Sequence, residues 1–200
     1  SEWVASTGVT RFLCSIAAPN TEALRQMVRT YADAFEAGGF PGAVPLGLHL
    51  EGPYLNPEKR GAFNETWLRG PLLDEVEALI DAGRGWVRQM TLAPELPGAF
   101  EVAERLGEAG IVAALGHSDT DYAEAARALR GPFVHVTHTF NAQRGFHHRR
   151  PGVLGAVLAS DGVTAELIAD TVHVHPAAMR VLLRCLGPDR VVLITDAMAG

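Results

Sequence analysis

Glutamate, two histidines and an aspartate each sit at or near the end of an apolar run: Glu51 in Gly47–Pro53, His117 in Leu115–Ser118, His138 in Val136–Ala142 and Asp196 in Leu193–Ala197. Carboxylate and imidazole are the donors of hydrolytic metal sites, where three protein ligands leave one coordination position open for water. A nearby aspartate can move that water's proton, first as base and then as acid. Asp196 follows the apolar stretch Val191–Ile194, and a buried carboxylate at a strand tip is unfavourable unless it is paired or working. Together these residues read as parts for metal-assisted hydrolysis.

Several have a plainer reading beside the chemical one. A glutamate before a turn is commonly solvated, although Gly52–Pro53 would stiffen the backbone immediately after Glu51. Ser118, next to His117, is suited to cap a helix beginning near Asp121. His49 shares a strand face with Glu51 and either supports a metal site from behind or packs inward. His173 and His175 form an H-x-H too late in the chain to open a ligand series. His173 suits the polarising of a substrate carbonyl, and His175 the entry to a helix. Arg144, His147, His148, Arg149 and Arg150 make Gln143–Pro151 basic. That loop is either a solvated turn or an anion site, since arginine forks match phosphate oxygens. Lys59 is the only lysine among 17 basic residues. A Schiff base or a carboxylated-lysine metal bridge therefore has almost nowhere to sit.

Placing such side chains at strand ends calls for alternating strands and helices. Strands are expected over Arg11–Ala17, Val44–Leu50, Val87–Leu92, Ile111–Leu115, Phe133–Thr139, Thr164–Ala169 and Val191–Thr195. Helices are expected over Thr21–Ala37, Pro71–Ala82, Ala99–Ala109, Asp121–Leu129 and Pro176–Leu186. Nearly continuous apolar strands alternating with helices mean a parallel sheet covered by helices. Polar residues at the strand C-termini point to a (β/α)8 TIM-like barrel, and no Gly-rich nucleotide turn favours a doubly wound sheet. Strand alternation then turns His138 toward the barrel axis and His135, three residues earlier, toward the helices as a hydrogen-bonded core histidine. Seven strands are too few to close the barrel, and the chain opens without an initiator methionine. These residues are thus expected to be part of a single barrel domain in a longer protein.

The bulk composition narrows the partners. A net charge of −6 argues against general nucleic-acid binding. No apolar stretch approaches a bilayer span, and no leader-like segment opens the chain, so no membrane partner is expected. Cys14 and Cys185 are too few for a disulfide framework; they read as small buried hydrophobes in a reducing cytoplasm.

From Leu46 to Gly200 the sequence resembles the N-acetylglucosamine-6-phosphate deacetylase family of the amidohydrolase superfamily. Gly47–Pro53, Thr91–Glu95, Gly116–Ser118, Thr137–Ala142, Pro151–Gly152 and Thr195–Ala197 occur in family order and at family-like spacing. The resemblance implies that Glu51, His117 and His138 bind one divalent metal ion, zinc or iron. It implies that Asp196 is the catalytic acid/base and that His173 contacts the substrate amide. Ala62, Phe63, Asn141, Ala142, Asp170, Thr171, Val172 and His173 fall where family members line a phosphorylated amino sugar. Arg149 matches an arginine that reaches the phosphate, often from the partner of a homodimer. Phe63 stands where several members have histidine, and Thr171 replaces a common glycine. The first metal-binding strand of the barrel and a small flanking β-domain are absent from this chain. The implied reaction is hydrolysis of N-acetylglucosamine 6-phosphate to glucosamine 6-phosphate and acetate. Its rivals are an amidohydrolase acting on a cyclic amide or base, and a non-catalytic sugar-phosphate binding module.

Overall fold

The computed structural model describes residues 1–197. Seven strands, β1 (Arg11–Ile16), β2 (Val44–Glu51), β3 (Val87–Leu92), β4 (Val112–Leu115), β5 (His135–Val136), β6 (Thr164–Ile168) and β7 (Val191–Ile194), form one sheet. All neighbours are parallel, and the strands lie side by side in chain order. The helices are α1 (Glu2–Ser6), α2 (Thr21–Ala37), α3 (Leu73–Gly83), α4 (Ala99–Glu108), α5 (Tyr122–Arg130), α6 (Gly152–Leu158) and α7 (Pro176–Leu186).

Strand order that never reverses is the singly wound arrangement of a barrel, in contrast to the reversal of a doubly wound sheet. The curl is visible in side-chain contacts. Gln89 on β3 donates to Glu166 on β6 at 3.0 Å. In a flat sheet those strands would stand roughly 14 Å apart, three spacings of about 4.8 Å. The sheet is therefore a curled, open (β/α)8-type half-barrel with polar side chains on its concave face.

Local sequence explains the helical cover. In α2 the buried Leu24, Val28, Ala32 and Phe35 recur at helical spacing. Asn20 caps its start by accepting the Ala23 N–H at 2.9 Å, and Gly38 ends it at φ +68°. In α7 Pro176 occupies the first turn and His175 is the cap, accepting the Ala177 N–H at 3.1 Å. Leu48, Leu50, Met90, Leu92, Leu115 and Val136 fill the interior between sheet and helices.

Four expectations need correction. The fifth strand reaches only from His135 to Val136, because His138, Phe140 and Ala142 all have positive φ and cannot continue a ladder. Helix α6 was not foreseen. Its Gly-Val-Leu-Gly-Ala-Val-Leu sequence has no polar face, and six of its residues are buried. Asp121, not Ser118, caps α5, accepting the Glu124 N–H at 3.0 Å. Cys185 is exposed while Cys14 is half-buried. Cys185 lies off the α7 stripe that buries Leu182 and Leu186.

Candidate metal centre

Strand ends bring three donors together. Glu51 ends β2 and shares the concave face with Thr91, Ala114 and His135 through successive register pairs. His117 stands two residues past β4 and His138 two past β5. Gly116 permits the close approach before His117, since a Cβ there would lie 2.6 Å from the Thr91 side chain. His117 (φ +46°) and His138 (φ +28°) are left-handed, which turns each imidazole inward off its strand line. Such backbone is sparsely populated for residues bearing a Cβ and persists only where the surroundings enforce it.

The three donor atoms form a triangle. His117 Nε2 and His138 Nε2 each lie 3.0 Å from Glu51 Oε1 and 3.0 Å from one another. His117 Nδ1 is 2.7 Å from the Lys59 carbonyl, which can only accept. That nitrogen therefore carries the hydrogen, and Nε2 of the neutral ring offers a lone pair. His138 Nδ1 is buried without a partner. A carboxylate oxygen and two ring nitrogens crowded at this spacing are short of positive charge, which is what a cation supplies. Glu51 (half-buried), His117 and His138 (both buried) could hold a metal ion, and no other such group occurs among the described residues.

The electrostatics agree. Burial pushes the Glu51 carboxyl up, but the His117 and His138 rings set against its oxygen bring it well below the usual carboxylate range. Burial pushes His138 down, yet its bond to Glu51 and the charges of Glu51, Asp196 and Glu166 leave it raised overall.

Around the donors lie braces that the sequence did not announce. Glu95 Oε1 accepts from Asn56 Nδ2 at 2.9 Å and from the Asp119 N–H at 2.8 Å, and its Oε2 accepts from Ser118 Oγ at 2.7 Å. It thereby ties the segment after His117 to the β2–α3 connection. Lys59, in a 3-10 turn, pairs with Asp119 at 3.1 Å. The two histidine segments are joined through Ser118, whose N–H donates to the Ala142 carbonyl at 3.2 Å. His49 packs inward within a chain of bonds: Ser15 Oγ to Nδ1 at 2.8 Å, Nε2 to Thr91 Oγ1 at 2.7 Å, then Thr91 to Thr137 at 2.6 Å. Burial lowers its pKa.

His135 is a hydrogen-bonded core histidine, but it does not face the helices. Its register partners place it on the concave face, where Nε2 meets Glu166 Oε1 at 3.0 Å and Nδ1 meets Thr164 Oγ1 at 2.5 Å. Counting by two from 135 to 138 fails because the ladder ends at Val136. Glu166 is buried, and burial pushes its carboxyl up; bonds from His135 and Gln89 outweigh this and hold it at about 2.

The remaining candidates lie at the same end of the sheet without joining the triangle. Asp196 is exposed, not buried as expected, because β7 is an edge with Leu193 70% exposed. Its backbone is left-handed at φ +50°. His173 is exposed in the turn after β6, where Asp170 grips it: Oδ2 to Nδ1 at 2.6 Å and Oδ1 to the His173 N–H at 2.8 Å. Those bonds from His173 draw the Asp170 carboxyl down to about 2. Thr171 (φ +68°) and Val172 are exposed in the same turn. Phe63 stands edge-on to the His117 ring at 5.2 Å, and Ala62 beside it is exposed. Phe63, Trp67, Leu68, Ala17 and Ala18 wall a small cavity that reaches Glu51. Asn141 Nδ2 donates to the His138 carbonyl at 3.3 Å. Arg149 is exposed in the basic loop, its Nε 3.1 Å from His148 Nε2.

Known proteins carry the same framework. The chain is 40% identical over 202 residues to N-acetylglucosamine-6-phosphate deacetylase of Vibrio furnissii, covering 99% of this chain and 49% of that one. The Bacillus subtilis protein of that name is 39% identical over 165 residues, 82% of this chain and 42% of its own length. The chain belongs to the N-acetylglucosamine-6-phosphate deacetylase family. It spans about half the length of the relatives it matches. A variant of the Mycobacterium smegmatis deacetylase, solved with N-acetyl-D-glucosamine-6-phosphate, superposes with a TM-score of 0.90 at 38% identity. That match covers 95% of this chain and 49% of the other. No family model matches the chain.

Proposed function

We propose that the protein to which this chain contributes hydrolyses the N-acetyl group of N-acetylglucosamine 6-phosphate, giving glucosamine 6-phosphate and acetate. The observation that carries this reading is the triangle of Glu51 Oε1, His117 Nε2 and His138 Nε2, each pair 3.0 Å apart. These residues would hold one divalent ion, zinc or iron, within a single barrel domain that a small flanking β-domain accompanies. When bound, the ion supplies a Lewis acid for the amide carbonyl and lowers the pKa of a water molecule.

Asp196 takes the proton of the attacking water and returns it to the departing amine. His173 polarises the amide oxygen. Asp170 engages Nδ1 and so leaves Nε2 as the ring nitrogen free to face the amide. Ala62, Phe63, Asn141, Ala142, Asp170, Thr171 and Val172 line the sugar. Arg149, on its basic loop, reaches the phosphate of a neighbouring protomer in a homodimer. The two free cysteines fit a cytoplasmic setting. Lys59 lies off the strands and pairs with Asp119, which disfavours amidohydrolase sites built on a carboxylated lysine.

The test is acetate release from N-acetylglucosamine 6-phosphate, with the unphosphorylated sugar alongside and ion content measured. Asp196→Asn should lower kcat by about 10²–10⁴ while leaving ion content unchanged. Near-normal turnover in that variant would overturn the role of Asp196, and equal turnover of both sugars would overturn the role of the basic loop.

A further inference from the structure

Glu166 takes no part in the chemistry above, yet it is an acid buried on the concave face of the sheet, on β6 beside β5. We propose that Glu166 is a positioning residue for the metal centre, fixing the backbone of His138 in the conformation that turns its imidazole toward Glu51 and His117. The inference rests on the reading that these three residues hold an ion.

The backbone of His138 has a φ of +28°, unfavourable for a residue with a Cβ. A conformation of that kind is strained and needs neighbours that over-determine it. Glu166 supplies them twice. Its side-chain Oε2 accepts the His138 N–H at 3.0 Å, and its main-chain carbonyl accepts the Thr139 N–H at 2.9 Å. Both peptide N–H groups flanking the His138 Cα are thus held by one residue of the adjacent strand.

The carboxylate is itself aimed. Oε1 accepts from Gln89 Nε2 and from His135 Nε2, each at 3.0 Å, so the side chain cannot swing away from His138. Because the carboxylate can only accept, His135 Nε2 carries the hydrogen, and Thr164 Oγ1, 2.5 Å from Nδ1, can donate to the other ring nitrogen. Three donors, two side-chain and one main-chain, thus converge on Glu166, and only a carboxylate can accept from all of them. A glutamine would have to turn an NH2 group against one of the three. A carboxylate needed only to neutralise His135 would have no reason to spend its second oxygen on the amide of a candidate ligand.

The test follows Co2+ binding to the metal-free protein by visible d–d absorption and by competition with a chromophoric chelator. Glu166→Gln should bind Co2+ about 10–100-fold more weakly, the usual effect of losing a residue that orients a ligand. It should also show shifted d–d bands at saturation. If Glu166→Gln does not fold, Glu166→Asp, which keeps the charge and shortens the reach to His138, carries the same expectation. Gln89→Leu removes one of the two bonds that aim the carboxylate but leaves the bond to the His138 N–H in place, and should weaken Co2+ binding clearly less than Glu166→Gln. Unchanged bands and affinity in the folded Glu166 variants, or an equal loss in Gln89→Leu, would overturn the proposal. An unsubstituted protein that binds no Co2+ would overturn the metal reading itself.

Discussion

At the scale of single residues, the chain Ser15–His49–Thr91–Thr137 shows how tightly the polar interior is accounted for. Both ring nitrogens of His49 are engaged, and the chain ends on the hydroxyls of Ser15 and Thr137. Thr91 is the joint: it is fully buried and meets His49 on one side and Thr137 on the other. Thr91→Val keeps shape and removes the hydroxyl, stranding a polar atom on each neighbour. A loss of about 1–3 kcal/mol is expected, as for a buried group left without its partner, while Thr91→Ser should retain most of it. Urea denaturation reads the difference, and equal stability of the valine variant would show that the chain carries no weight. Glu51, His117 and His138 were visible in the sequence as polar residues ending apolar runs. Glu95 was visible only as the end of the Thr91–Glu95 segment, with no role attached, and Glu166 not at all, because each looks like an ordinary acid until segments far apart in sequence are laid side by side.

At the scale of elements, the connection from β2 to α3 carries Lys59 and Phe63 to the candidate metal centre and needs an anchor. Arg69 provides it, donating through two nitrogens to Glu75 on α3 and through Nη2 to Thr21 Oγ1 at 3.0 Å. Burial pushes the Glu75 carboxyl up, but hydrogen bonds from Arg69 and Thr21 bring it net below its ordinary value. The folded pKa is thus lower than the unfolded one, near 4.3. The clamp contributes fully above that value, and its contribution falls as pH drops below it. Urea midpoints between about pH 5 and about pH 3 should therefore fall more steeply for the unsubstituted protein than for Glu75→Gln; parallel curves would refute the clamp. Elements with a clear period, such as α2, β3 and α7, were legible end to end. Strand β5 was not, because no side-chain pattern announces left-handed backbone at His138, Phe140 and Ala142. The all-apolar α6 was not, because a buried helix shows no amphipathic stripe.

At the scale of the whole molecule, unfavourable backbone is gathered at one end of the sheet. Among the described residues seven other than glycine have positive φ, and all but Arg84 follow the C-terminal ends of β4 to β7. Glycine takes this conformation without steric penalty. With a chelator present, His138→Gly should therefore be more stable than His138→Ala by about 1 kcal/mol. That is the reverse of the order expected on an ordinary strand, and chemical denaturation measures it. The two histidine donor positions are consequently places where the fold would gain by giving up its side chains. A population of this protein selected only for survival of heat would drift toward glycine along that rim. It would grow hardier as it lost those imidazoles, and only a continued demand on their ring nitrogens keeps histidine where the backbone would prefer none.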